Sequence, residues 1–239
     1  MNKIRFVGSV AKWLAAAIGV AATSYATYAD ITWLRYGRPT RPASKADTDW
    51  LLDRFMPAYG VREGHHVHVA APAETTLLAA AEMDLQQSAF VRAIFKLREL
   101  ILRAKTDKKA RPRGLLAELK STGWGVLAEV PGREIVLGTV TQPWVADVVF
   151  RAVPPDGFAA FDEPGYVKIV CTLRADPISA TESVFRTETR VEPTDPTARE
   201  KFRKYWSLVS PGIVLIRLMS LKRLKAEAER RTREGRVAA

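Results

Sequence analysis

Tyr166 to Arg231 constrains the fold of this chain more than any other stretch. Two segments, YVKIVCTLRA and SVFRTETRV, alternate in character residue by residue and run directly into one long amphipathic helix. A period of two puts Val167, Ile169, Cys171 and Leu173 on one face of the first strand, with Lys168, Val170, Thr172 and Arg174 on the other. In the second strand Phe185, Thr187, Thr189 and Val191 form the inner set. Arg186, Glu188 and Arg190 form the outer set, read as cross-strand pairs on a wet face worth ~0.2 to 1 kcal/mol each. Thr194 or Asp195 caps the helix, with Pro196 in its first turn. Its apolar stripe is Phe202, Tyr205, Trp206, Val209, Ile213, Ile216 and Met219. Pro211-Gly212 interrupts it, which predicts a kink that either wraps the helix around the core or frees carbonyls near Ser207 and Leu208 for water or a ligand. A sheet handing over to such a helix predicts a helix closed over a curved sheet, with an apolar cavity between them. Inner hydroxyls such as Thr187 and Thr189 must then find partners or face a polar ligand group.

The N-terminus carries the other strong pattern. Trp13 to Ala29 holds no charge and follows Lys3, Arg5 and Lys12. Seventeen helical residues reach about 25 Å, against about 30 Å for a hydrocarbon core. Ile31 to Leu34 extend the run, and Trp33 and Tyr36 suit an interface. Three readings stand: a retained single-span anchor, a signal peptide cut near Ser24-Tyr25-Ala26, or a helix that is simply buried or disordered. The formal net charge of +11 points to a polyanionic surface,. Without zinc spacing, an aromatic RNA-binding signature or a basic heptad region, that surface is expected to be a membrane and not nucleic acid. The basic run Lys105, Lys108, Lys109, Arg111 and Arg113 is either a solvated face or a contact with lipid head groups.

Between these ends, GRPTRPASKA reads as a linker and DTDWLLDRFM as a short helix capped by Asp47 or Thr48. VREGHHVHVA is a strand holding all three histidines. His66 and His68 share its polar side and His65 falls on the valine side. A solvent-facing edge explains the HxH pair better than a metal site, and no metal or cofactor is expected. AETTLLAAAEM and the stretch from Asp84 to Arg103 read as helices. WGVLAEVPGREIVLGTV reads as a hairpin turning at Pro131-Gly132, and Val145 to Val153 as a further strand. GFAAFDEPG is a short turn that places Phe158 and Phe161 inward. Cys171, alone of its kind, reads as a buried structural thiol.

The order of strand, two helices, antiparallel meander and long C-terminal helix resembles the SRPBCC superfamily (START-like, birch-pollen-allergen-like). GYVKIVCTLRADP, FRTETRV and TDPTAREKFRKYWSLVSPGIVLIR look like an uncharacterised bacterial branch of it. The resemblance implies an α+β helix-grip fold: a curved antiparallel sheet around a long C-terminal helix, here preceded by a transmembrane or signal helix. The expected organisation is an anchor over 1–36, a linker with a short helix over 37–60, the helix-grip domain over 61–231 and a polar tail over 232–239. Relatives bind lipids, quinones and polyketides, and a few are cyclases or hydrolases, so the fold alone does not choose the function.

The leading expectation is a non-catalytic domain, anchored by one pass in a bacterial-type inner membrane, that binds a lipid, fatty acid or isoprenoid quinone. Phe158, Phe161, Tyr205, Trp206 and Val209 are expected to wall its pocket, and Thr187 and Thr189 to orient a polar head. The alternatives are a cyclase or hydrolase using Glu129, Glu134, His65, His66 or His68, and a structural protein with a filled core.

Overall fold

The computed structural model describes residues 2–38, 48–84 and 112–238. The helix read over 84–103 and the basic residues Lys105, Lys108, Lys109 and Arg111 lie outside them, apart from the start at Asp84. Arg113, inside them, is exposed.

In chain order the described elements are α1 (Asn2–Arg35), α2 (Trp50–Phe55), β1 (Val61–Val69), α3 (Ala73–Glu82), α4 (Leu115–Thr122), β2 (Gly125–Val130), β3 (Glu134–Thr141), β4 (Phe150–Arg151), α5 (Pro155–Phe158), β5 (Val167–Pro177), β6 (Ser183–Pro193) and α6 (Pro196–Ala238). The strands form one antiparallel sheet in the order β1-β6-β5-β3-β2, with the two-residue β4 beside β3. The β2–β3 hairpin turns at Pro131-Gly132, where Gly132 has φ +68°. Val145 to Val153 contributes only Phe150–Arg151 as strand. This is an α+β fold with an antiparallel sheet and a long C-terminal helix, as expected.

The central strands of the sheet are buried on both faces. The inner face meets α3, α4 and α6 through Leu137, Leu173, Phe185, Leu77, Leu221 and Leu224. Val61, Val167 and Val191 meet Phe202 and Trp206 farther back along α6. The outer face, read as wet, is covered instead. Leu51, Leu52, Phe55 and Met56 of the α2 segment and Phe158 of α5 pack on Val136, Val140 and Val170. The cap of α2 is Asp49, not Asp47 or Thr48: its Oδ1 accepts from Leu51 N and Leu52 N at 3.1 and 3.0 Å.

α6 runs as one helix of 43 residues through Pro211. Asp195 caps it, Oδ1 accepting from Thr197 N and Ala198 N at 2.7 and 3.0 Å. Near the proline it is neither water nor a ligand but α1 that meets the Leu208 carbonyl, through the Tyr25 hydroxyl, which donates to it. Beyond Met219 the helix does not fray: Leu221, Leu224 and Ala228 are buried, and Arg231 reaches Glu82 at 2.7 Å.

α1 overturns the expected localisation. Among the described residues no helix is long and apolar enough to cross a membrane. Thr23, Ser24, Thr27 and Asp30 dilute the apolar run, and its many alanines add little hydrophobicity. Its C-terminal end is committed to α6. The Arg203 guanidinium donates to the Trp33 carbonyl at 2.9 and 3.2 Å and lies 4.1 Å from the Trp33 ring centre, while Tyr36 meets Phe202 at 6.1 Å. A single-pass inner-membrane anchor therefore finds no support in the helix read as the span.

Candidate functional site

Along α6 the residues 202, 206, 210, 213, 217, 221, 224 and 228 follow one another at spacings of three and four, one stripe turned toward the inner face. Its N-terminal end packs through Phe202 and Trp206, and its C-terminal end through Leu221, Leu224 and Ala228. Between these two clusters the stripe is interrupted by Ser210 and Arg217.

Facing that interruption is a cross-strand row. Glu63 of β1 pairs with Thr189 of β6, which pairs with Cys171 of β5, and His65 pairs with Thr187. All five belong to the inner set of their strands. Arg217 bridges helix and sheet, donating to Thr189 Oγ1 at 2.6 Å and to the Glu63 carbonyl at 3.1 Å. His65 Nε2 lies 3.4 Å from Glu63 Oε2 but is not aligned for a hydrogen bond, and it is buried without a partner. Ser210 Oγ, fully buried, is also unpartnered.

Electrostatics place this row deep in the protein. Burial pushes the Cys171 thiol up to about 11, partly opposed by Arg217, so it is neutral near pH 7. Burial likewise lowers Arg217 from the usual guanidinium range, with Cys171, Glu63 and Glu188 acting the other way. Yet Cys171, Arg217, Glu63, His65, Thr189, Ile169 and Ile213 all keep accessible surface. Cys171 and Arg217 are thus strongly desolvated while retaining some accessible surface.

The expected pocket residues divide between the two faces. Thr187 and Thr189 belong to this inner row, and Tyr205, Trp206 and Val209 lie along the adjoining part of α6, Trp206 buried and the other two half-buried. Phe158 and Phe161 pack with the opposite, outer-face cluster. Of the residues weighed for catalysis, His65 belongs to the inner row, while Glu129, paired with Ile135, is on the inner side of the edge strand. His66, His68 and Glu129 are exposed, and Glu134 is buried under α2. Reading the helix for apolar residues only passed over Ser210 and Arg217. Their spacing from Trp206 and Ile213 was the signal that places them on the same stripe.

The outer face holds a second polar cluster. Asp49 and Glu134, 1% and 2% exposed, bring two carboxyls together beneath α2. Thr172 Oγ1 donates to Glu134 Oε1 at 3.0 Å, and Arg174 Nη1 lies 3.7 Å from Asp49 Oδ2. Glu134 is raised to about 7, first by burial and then by the charge and hydrogen bonding of Asp49, with Thr172 and Arg174 opposing. Near that pH its proton is the natural donor to Asp49 Oδ2. Beside it Arg190, 1% exposed, donates to Asp53 at 2.6 Å, Glu188 at 2.7 Å and the Met56 carbonyl at 2.8 Å, and lies 4.6 Å from the Tyr59 ring centre. These contacts tie α2 to the sheet, which leaves the inner row as the candidate ligand site.

With its geometry in place, the chain can be set beside known proteins. No family model matches it, and no curated protein matches it. Among solved structures it is similar to a Chromobacterium violaceum protein from a structural-genomics series, at 16% identity and TM-score 0.32 over 70% of this chain and 97% of that one. It is similar to BexL, a di-domain ARO/CYC protein of a biosynthetic pathway, at 15% identity and TM-score 0.26, over 70% of this chain and 46% of that one. It is also similar to the Zhui aromatase/cyclase from Streptomyces, at 15% identity and TM-score 0.24, over 71% and 94%. Fold and site together define an α+β protein with a polar row enclosed between an antiparallel sheet and its C-terminal helix.

Proposed function

We propose that this chain is a binding domain for an apolar small molecule or lipid held between the inner face of the sheet and the middle of α6. The observation that carries this reading is the interruption between two packed clusters, bordered by groups that are deep yet accessible. Tyr205, Trp206, Val209, Ile169 and Ile213 supply the apolar wall. Thr187 and Thr189 stand where a polar end of the ligand would sit, in keeping with pockets that are mainly apolar with few placed polar groups. Native mass spectrometry of protein purified in mild detergent is expected to find a stoichiometric small molecule. An empty protein that also fails to bind an uncharged apolar fluorophore would sink the proposal.

Cys171→Phe gives a sharper test. Its ring would enter the space at the centre of the sheet. The variant is expected to weaken apolar-probe binding by at least about tenfold while leaving the melting temperature nearly unchanged. A filled core predicts the opposite: overpacking that costs about 1–3 kcal/mol of stability.

A second reading, a cyclase- or hydrolase-type enzyme on the same fold, is favoured by one observation: His65 faces the inner row beside the Glu63 carboxylate. That pair has the elements of a base and its orienting group.

A further inference from the structure

Arg217 has a surplus of donors and, among the described residues, no anion at ion-pair distance. The Arg217 guanidinium carries five N–H donors. Both hydrogen bonds it makes go to neutral acceptors, the Thr189 hydroxyl and the Glu63 backbone carbonyl. Among the described residues no carboxylate lies at ion-pair distance from it. The other buried or half-buried arginines of the sheet are treated differently: Arg62 pairs with Glu188 at 2.6 Å, Arg174 with Asp176 at 2.7 Å and Arg190 with Asp53 at 2.6 Å. A buried cation without a facing anion is costly, and so is a buried polar atom without a hydrogen bond. Two such atoms belong to the same inner surface as Arg217. Ser210 Oγ is two turns back on the same helical stripe, and His65 Nε2 is on the neighbouring strand face. The Glu63 carboxylate leans toward His65 and supplies Arg217 with only a longer-range attraction.

We infer that the ligand is an amphiphile whose carboxylate docks on Arg217, with Ser210 and His65 as further donors and its apolar chain running toward Trp206 and Val209. This rests on the proposed binding function and specifies the ligand class. A carboxylate matches the planar fork of one guanidinium with two parallel hydrogen bonds. A phosphate dianion calls for more positive charge than a single arginine provides.

The test compares palmitate with cetyl alcohol, which shares its chain length and lacks the charge, in displacing an uncharged naphthylamine probe from the full-length protein. Palmitate is expected to bind at least about tenfold more tightly. Arg217→Gln should abolish that preference by weakening the acid and sparing the alcohol, and Arg217→Lys should retain part of it. Equal displacement by acid and alcohol in the wild type overturns the head-group assignment and leaves the pocket reading intact. A probe that never binds removes the binding function itself, and this inference with it. Should Arg217→Gln fail to fold, the acid-to-alcohol ratio of the wild type still decides.

Discussion

Replacing Glu134 with glutamine is expected to stabilise the protein above neutral pH and to flatten its stability profile. Folding raises the Glu134 carboxyl from 4.5 to about 7, because burial and the Asp49 carboxylate both penalise its charge. Between those values the native state holds a proton that the unfolded chain has released. Stability therefore falls as pH rises through this window, and the loss is complete above about 7. At 1.36 kcal/mol per unit, a shift of this size amounts to about 3 kcal/mol. A glutamine amide imitates the protonated acid, accepting from Thr172 and donating to Asp49 Oδ2, and it has no proton to lose. Denaturant titrations should therefore show the variant and wild type nearly matched below about pH 4.5 and separated by about 2–3 kcal/mol at about pH 8, the variant being the more stable. Parallel curves across that range would show that the two carboxyls do not share a proton.

Loss of Arg190 is expected to release α2. Its guanidinium, itself excluded from water, holds Asp53 and the Met56 carbonyl from the α2 segment and Glu188 from the sheet. Removing one member of a buried charge network leaves the others uncompensated, at about 3–5 kcal/mol. Asp53 is 45% exposed and regains water, and Glu188 keeps Arg62, so Arg190→Met should fall near the lower end, about 3 kcal/mol,. The loss should be local as well as global. Exchange of the Leu51 and Leu52 amides, now protected by Asp49, should accelerate more than exchange in β5. A stability change below about 1 kcal/mol with unaltered exchange would mean that α2 is held by its apolar contacts alone.

The two strands and the helix that opened the sequence reading were legible because their signals are local. Alternation put Thr187 and Thr189 on the face that meets α6, and the apolar spacing from Phe202 to Ile213 marked the helix face that packs there. What failed depended on distant neighbours. Arg186, Glu188 and Arg190 looked solvated because alternating charges usually are. Glu188 and Arg190 are buried, Arg190 against a helix more than a hundred residues earlier in the chain whose Asp53 supplies the compensating charge, and Arg186 is half-buried against Asp176. Phe158 and Phe161 were read as inward because they are large and apolar, yet the central strands have two buried faces and they took the other one. Helix α4 escaped notice because its eight residues bury no side chain completely.

The N-terminal helix shows the same division. Its helicity was legible, but an uncharged, alanine-rich run says little about what it lies against. The structure packs its end on α6, where Tyr25 donates to the Leu208 carbonyl near Pro211. Periodicity in this chain determined which residues share a strand face or a helix stripe, since those relations are set by backbone geometry over a few residues. Only the tertiary structure decided which face is covered, which charges meet and where Arg217 stands without an anion at ion-pair distance among the described residues. Those outcomes depend on pairing segments far apart in sequence, and no local pattern encodes the partner.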